Sequence, residues 1–400
     1  MSKVSVIIPT YNVEPYLHQC LDSVTRQTLQ DIEIICVNDG STDRSLEIIQ
    51  EYANRDSRIV VITAGLNGGY GKAMNKGLEV ATGEYIGIVE PDDYISYVMY
   101  EDLYEIAQTH NLDFVKADFY RFSTEDNGDL HCVYNHLAKN KGFYNKVIKP
   151  MDEKESFRFI MNTWSGIYKR DFINSNQIRH NETPGASFQD NGFWFQTFLL
   201  AERAMFVDRP YYMNRRDNPN SSVKAKDKVY AMNEEYKYLK NLISQRYPKL
   251  WDEIKYVHTL KRIHNYNFTL TRIDSEMAEQ YIKDCSKELR QAELLGEIDK
   301  NVLSSGEWKT LQAIKNNPEQ FFEDYKKTQE KKGIQAVTQV SNVGKSSHSI
   351  KQGENKVSVQ DSFQVANLQK RIKDMENSNS WRAGRFMTCP IRKLKSIMGK

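Results

Sequence analysis

The chain has 400 residues, 40% hydrophobic and 27% charged, with a formal net charge of +2. This is the composition of an ordinary globular protein of about two to three domains, and so small a net charge argues against a general nucleic-acid binder. Five cysteines (Cys20, Cys36, Cys132, Cys285, Cys389) are odd in number and lack CxxC or Cys/His spacing, so they read as reduced thiols of a cytosolic protein. The N-terminus enters the strand-like run VSVII after Ser2 and Lys3, without the apolar region of a secretion signal. No run approaches the ~18 apolar residues that span a bilayer, so the expectation is a protein that is soluble or peripheral at a membrane.

Val4 to Ile8, apolar but for Ser5, predicts a buried strand. Pro15 suits the first turn of a helix, and Leu17, Cys20, Leu21 and Val24 follow at helical spacing. Ile32 to Val37 predicts a second strand, ending in Asn38, Asp39 and Gly40. Cap-type residues Ser41 to Asp43 then lead into a helix carrying Leu46, Ile49 and Tyr52. Arg58 to Thr63 predicts a third strand, and Ala64 to Gly71 a glycine-rich loop that enters a helix through Met74 and Leu78. Ile86 to Val89 predicts a fourth strand, stopped by Pro91, which cannot donate to a ladder. Strands apolar throughout, alternating with helices, predict a parallel sheet covered on both faces. Ligands of such sheets bind beyond the carboxyl ends of the strands. PTYN, NDGSTD and EPDD all fall there and should converge on one crevice.

From Leu112 to Tyr212 the pattern is mixed and aromatic, and most of its rings read as the core of an α+β half. From Val229 to Tyr325 apolar residues recur at helical spacing (Trp251, Ile254, Val257, Leu260, Ile263) and predict a helical domain. Residues 326–360 turn to Lys, Gln, Ser, Asn and Gly and read as a linker, since that composition cannot bury enough surface to fold. Val365, Leu368, Ile372 and Met375 form a short heptad seam suited to homo-oligomerisation through 361–376. Ser380 to Lys400 carries Arg382, Arg385, Arg392, Lys393, Lys395 and Lys400, no acid, and interleaved bulky apolar residues. It suits either an anionic membrane surface or a helix docked on a partner or on the body of the protein.

Tyr85 to Tyr94, YIGIVEPDDY, delivers Glu90, Asp92 and Asp93 at the end of a buried strand. Clustered acid packs poorly there, but it can hold a divalent cation against a phosphate, because hard cations take oxygen ligands on a rigid support. An exposed acidic turn is the plain alternative. Tyr11 can stack on a base, Asp39 can accept hydrogen bonds from a base or ribose, and Lys72 can face a diphosphate. Glu90 and Asp92 can reach a ribose and a metal. Together these describe a nucleoside-diphosphate site. PTYN lacks the glycines of GxGxxG and no Walker A loop is present, which argues against dinucleotide binding and simple NTP hydrolysis.

VSVIIPTYNVEPYLHQCLDSV, IEIICVNDGSTDRS and GEYIGIVEPDDYI, in that order and spacing, resemble the family 2 glycosyltransferases, inverting enzymes of the bacterial surface-polysaccharide type. The resemblance is strong over Val4 to about Asp93 and looser to about Val223. It implies an α/β GT-A fold, a Rossmann-like, mostly parallel sheet flanked by helices, over residues 1–225, with 1–110 binding nucleotide and 111–225 binding acceptor. A helical domain (226–325), a flexible linker (326–360) and a short coiled-coil-like helix with a basic amphipathic tail (361–400) would follow. By the same resemblance Pro9 and Tyr11 line the nucleobase pocket, Asp39 binds the base, and Asp92 ligates Mn2+ or Mg2+. Glu90 stands where the family usually has Asp. Met74 precedes Asn75 where the family often has Arg, which leaves Lys72 for the diphosphate.

In Phe188-Gln189-Asp190-Asn191, Asp190 matches the family's acceptor base, and Gln189 replaces a Glu. The flanking aromatics would raise its pKa by desolvation; capping the next helix is an alternative job for the same side chain. RRDNPNSSV resembles the loop that closes over the diphosphate, making Arg215 and Arg216 candidates. Trp164 and Trp194 are candidates for the acceptor side, with core packing the alternative for Trp164.

The activity implied is transfer of a sugar from a nucleoside-diphosphate donor, a UDP-sugar, to a hydroxyl of a glycan or lipid-linked acceptor. The missing membrane helices and QxxRW motif set the chain apart from processive synthases. The expected location is the cytoplasm, peripheral at the inner face of the cell membrane through 380–400, with no nucleic-acid partner. A sugar nucleotidyltransferase usually carries a glycine-rich, lysine-containing signature where this chain has PTYN. A non-catalytic nucleotide-sugar binder or scaffold stays open because of Gln189 and Glu90.

Overall fold

The protein is described by a computed structural model covering residues 2–124, 129–186, 188–221 and 228–343, with side chains through residue 330. Strands β1 (Val4–Thr10), β2 (Ile32–Asn38), β3 (Ile59–Thr63) and β4 (Tyr85–Ile88) alternate with helices α1 (Glu14–Thr25), α2 (Ser45–Ala53) and α3 (Tyr70–Val80). They pair in parallel, in the spatial order β3-β2-β1-β4. Every residue of β1 is buried, Ser5 and Thr10 included, as expected of a mainly apolar strand covered on both faces. On α1 the buried stripe is Leu17, Cys20, Leu21, Ser23 and Val24, with Pro15 in the first turn.

The second half continues the same sheet. It comprises β5 (Tyr94–Ile95), α4 (Met99–His110), β6 (Phe114–Thr124), β7 (Leu130–Asn135), β8 (Gly166–Lys169), α5 (Arg170–Ser175), α6 (Gln189–Leu200) and β9 (Ala204–Arg215). The order runs on as β4-β8-β6-β9-β5, with β7 beside β6. Antiparallel pairings enter at β4–β8, β6–β8, β6–β7 and β5–β9, while β6 and β9 pair in parallel across an irregularity between Ala117 and Phe119.

Helices α7 (Ala231–Arg246), α8 (Pro248–Leu270), α9 (Ser275–Leu294), α10 (Ser305–Asn316) and α11 (Pro318–Val343) follow. Leu239, Ile243, Trp251, Ile254 and Val257 join the core of the sheet. Ile263, Tyr266 and Leu270 belong to a second core with Tyr281, Leu289, Leu311 and Phe322. The change of core therefore falls inside α8, and residues up to Thr328 form one compact unit.

Residues 326–343, read from composition as linker, continue α11. Lys, Gln and Ala favour helix whether or not they are buried, so a low apolar content spoke against a core and not against a helix. The rest of that linker, the heptad seam at 361–376 and the basic tail at 380–400 lie outside the described residues. Cys20, Cys36 and Cys285 are buried free thiols and Cys132 is an exposed one. No helix among the described residues is long and apolar enough to cross a membrane.

Candidate active site

The carboxyl ends of β1, β2 and β4 open on one side of the sheet. Pro9 is buried within β1, and Tyr11, just past it, is 43% exposed. Asp39 follows β2 and is almost fully buried, its N–H donating to the Thr10 carbonyl at 2.8 Å. Its Oδ1 accepts from the Gly68 N–H at 2.9 Å and its Oδ2 from the Gly69 N–H at 2.8 Å. Asp39 thus shapes the glycine-rich loop, whatever else it contacts. Gly69, the residue before α3, adopts φ +94°, and a Cβ there would lie 2.7 Å from the Gly185 nitrogen. Only glycine fits both demands. Lys72 is exposed in the first turn of α3, which contains no acid, and its methylene chain covers Gly68. A helix N-terminus with an adjacent cation suits a phosphate.

The acidic motif after β4 divides its labour. Asp93 is buried and accepts from the Arg215 N–H at 2.6 Å and the Asn214 Nδ2 at 3.1 Å, tying the loop to β9. Asp92 is partly exposed, and its Oδ2 accepts from the Asn218 Nδ2 at 2.8 Å. Glu90 is partly exposed; its Oε1 accepts from the Tyr70 hydroxyl at 2.7 Å, and its N–H donates to the Tyr212 hydroxyl at 2.9 Å. Burial, with the negative charges of Asp92 and Asp190 adding to it, pushes the Glu90 carboxyl up to about 8 against the pull of Tyr70.

Asp190 comes from the other half of the sheet. Helix α6 is entered through Phe188 at φ +66°, uncommon for a bulky side chain, and Phe188 makes no side-chain cap. Asp190 is therefore not the N-cap. It lies within the first turn, where burial raises its pKa to about 6 against the hydrogen bonds of the Asn191 and Asp190 amides. Gln189 Nε2 donates to the Thr183 carbonyl (3.2 Å), the Thr183 hydroxyl (2.8 Å) and the Gly185 carbonyl (2.9 Å), and the Tyr70 N–H donates to that same Gly185 carbonyl at 3.1 Å. The loop before α6 is thereby seated on the glycine-rich loop, and the charges of Glu90 and Asp190 both raise the Tyr70 phenol, after its burial.

Arg215 braces the acidic loop from beneath. Its Nε donates to the Asp92 carbonyl at 2.8 Å, and its guanidinium lies 4.7 Å and 4.6 Å from the ring centres of Tyr16 and Phe122. Its side chain is 9% exposed, so it is committed to the protein, whereas Arg216 is exposed. Trp164 is partly exposed and stacks on Tyr212 at 4.2 Å, one contact from the Glu90 amide. Trp194 is fully buried, stacked on Phe198 at 3.9 Å with the Lys261 ammonium 4.5 Å from its ring centre. It is a core residue and offers no face to an acceptor. Sequence reasoning did not single out Tyr70, Asn218 and Tyr212; Tyr70 had a signal in its place directly after the glycine pair, and Asn218 in its place within RRDNPNSSV.

Among the described residues no group of three or more Asp, Glu, His or Cys side chains could hold a metal ion. The oxygen donors in the crevice are Asp92, with Glu90 in its field. Such a set fits a cation that takes its remaining ligands from a diphosphate and water, and does not fit a resident metal held by protein alone.

Residues 5–170 match the model of glycosyl transferase family 2. The chain is 40% identical over 219 residues to the uncharacterized glycosyltransferase EpsJ of Bacillus subtilis, covering 54% of this chain and 62% of that protein, under two thirds of the relative. It is 35% identical over 220 residues to glycosyltransferase GlyG of Streptococcus pneumoniae, covering 53% of this chain and 70% of that one. Among solved structures, TarS of S. aureus superposes with a TM-score of 0.58 at 20% identity, over 80% of this chain and 54% of TarS, which is a likeness of fold. The chain belongs to the family 2 glycosyltransferases and carries their GT-A fold.

Proposed function

We infer that the crevice binds a nucleoside-diphosphate sugar, with UDP as the nucleotide, and transfers its sugar with inversion to a hydroxyl of a glycan or lipid-linked acceptor in surface-polysaccharide synthesis. One observation carries this reading: Tyr70 joins the acidic loop to the start of α6, its hydroxyl donating to Glu90 at 2.7 Å and its N–H to the Gly185 carbonyl that Gln189, beside Asp190, also binds, so that acids far apart in sequence border one crevice. In this reading Pro9 and Tyr11 flank the base, Asp39 holds the glycine-rich loop against the nucleoside, and Lys72 faces the diphosphate. Arg216 is left as the arginine free to approach the diphosphate. Trp164 borders the acceptor.

Asp190 takes the proton of the acceptor hydroxyl as that oxygen bonds to the anomeric carbon from the face opposite the diphosphate. The anomeric C–O bond breaks, and the diphosphate leaves with the electron pair. A carboxylate of pKa about 6 is ionised at neutral pH yet more basic than an ordinary Asp, which suits a general base. Mn2+ or Mg2+ on Asp92 would supply charge neutralisation of the leaving diphosphate. Peripheral attachment at the inner face of the cell membrane through 380–400 completes the reading and rests on composition alone.

Thermal melts with UDP-, GDP-, dTDP- and CMP-sugars, with and without Mn2+, test donor binding, because a ligand of the folded state raises the melting temperature by linkage. UDP-sugars should stabilise most, and more so with Mn2+. A larger shift from GDP-sugars would reassign the nucleotide. Donor binding without release of nucleoside diphosphate, when acceptor and metal are present, would make the protein a non-catalytic binder.

A further inference from the structure

Helix α7 places a second buried carboxylate behind the candidate base. Glu235 is 2% exposed. Its Oε2 accepts from the Asn181 Nδ2 at 2.9 Å, and its Oε1 has no hydrogen-bond partner of ordinary geometry. That orphan oxygen points at the first turn of α6. A Cβ added to Gly192 would come within 2.0 Å of it, so glycine at this position is what admits the carboxylate. The turn is the one that carries Asp190. A helix N-terminus favours negative charge, and here two acids compete for one.

We propose that Glu235 is a positioning residue for the candidate base: from α7 it sets its carboxylate against the first turn of α6 at Gly192 and ties down the preceding loop through Asn181. Burial raises the Glu235 carboxyl to about 7, with the Asn181 hydrogen bond opposing the rise and the Asp190 charge adding to it. Asp190 ionises first, and its charge then keeps the proton on Glu235 near neutrality. Below about pH 7 the base thus faces mainly a neutral acid behind it, and above that pH a second anion. The other groups facing the pair are Glu90 at the end of β4, Tyr70 from α3, and Tyr236 and Tyr238 from α7. His180 is stacked on the Phe193 ring at 4.5 Å, and neither of its ring nitrogens has a hydrogen-bond partner among the described residues. Arg179 acts on His180, and Arg246 and Glu182 act on Tyr238, while Lys228 donates to the Ala186 carbonyl and Arg272 lies over the Phe188 ring.

This inference rests on Asp190 as the base, but its first test needs no substrate. The carboxyl 13C resonances of labelled Asp and Glu are followed against pH in the whole protein, Asp190 being assigned by its loss in Asp190→Asn. In the wild type Asp190 should titrate in a broadened, two-step curve; in Glu235→Gln it should collapse to one step. In Asp190→Asn the Glu235 resonance should titrate lower by about one unit. Gly192→Ala, which expels the carboxylate without removing it, should reproduce the collapse and serves if Glu235→Gln does not fold. Superposable Asp190 curves in wild type and variant, or an unmoved Glu235, would overturn the proposal. With UDP-glucose as the probe donor, Glu235→Gln should lower kcat about tenfold at unchanged donor KM. If Asp190→Asn itself keeps full turnover, the base assignment fails while the coupling of the pair is judged separately by the titration.

Discussion

Two regions of this molecule gather carboxylates among polar partners, and they treat them in opposite ways. Beneath the β6–β7 hairpin, Asp118 is wholly buried and saturated: Oδ1 accepts from the Tyr144 hydroxyl at 2.6 Å and the Leu137 N–H at 2.8 Å, while Oδ2 meets the Tyr134 hydroxyl at 3.0 Å and the His136 Nδ1 at 2.7 Å. In the crevice, Glu90 receives a single side-chain hydrogen bond, from Tyr70, and Asp190 is held by the amides of its own turn. A saturated acid has spent its lone pairs on the fold. An under-partnered acid, kept near others of its own sign, retains capacity for a proton, a cation or a ligand. Partner saturation together with full burial separates the structural acid from the partly exposed, under-partnered acids of the crevice.

The sharpest way to break this contrast is Asp190→Asn. Turnover should fall by ~10²–10⁴, the usual worth of a general base, while the donor-induced rise in melting temperature persists; near-full activity would end the base assignment. Next comes Asp118→Ala, which strands several buried donors and should cost roughly 3 kcal/mol in urea unfolding with donor binding intact. A variant as stable as the parent would show that saturation does not mark a structural acid. Asp92→Ala should lose about tenfold or more of the Mn2+-dependent part of donor affinity, measured by calorimetry with and without the metal; an unchanged metal response removes Asp92 from the site.

The smallest effect is in pH. The folded-state pKa of Asp190, about 6, lies above its ordinary value of 3.8, so the native state favours the protonated form. The corresponding stability is fully present below about pH 4 and is lost as pH rises through 6. Asp190→Asn should flatten that decline, and kcat/KM of the parent should show an acidic limb near pH 6. A stability profile identical in parent and variant would contradict the buried setting of this side chain.

Asp39, Glu90 and Asp92 could be picked from the sequence because they end apolar strand runs, and the geometry of a parallel sheet sends such ends to one edge. Asp190 needed the family pattern, since its helix begins with no side-chain cap and its strand neighbours come from elsewhere. The two tryptophans could not be told apart by local sequence: Trp164 reaches the edge of the crevice, and Trp194 vanishes beneath Phe198 and Lys261. Arg215 and Arg216 were likewise indistinguishable, because Arg215, the last residue of β9, lies under the acidic loop, and Arg216, one residue past the strand, is exposed.

The sequence by itself determined the alternating strands and helices of the first half, the carboxylates at their ends and the family, since all of these are written in local periodicity and short motifs. Only the tertiary structure decided which acids are saturated, which arginine is committed to the fold, and that Glu235 from α7 stands behind Asp190. These are contacts between residues dozens of positions apart, set by how helices pack on the sheet, and no local pattern encodes them.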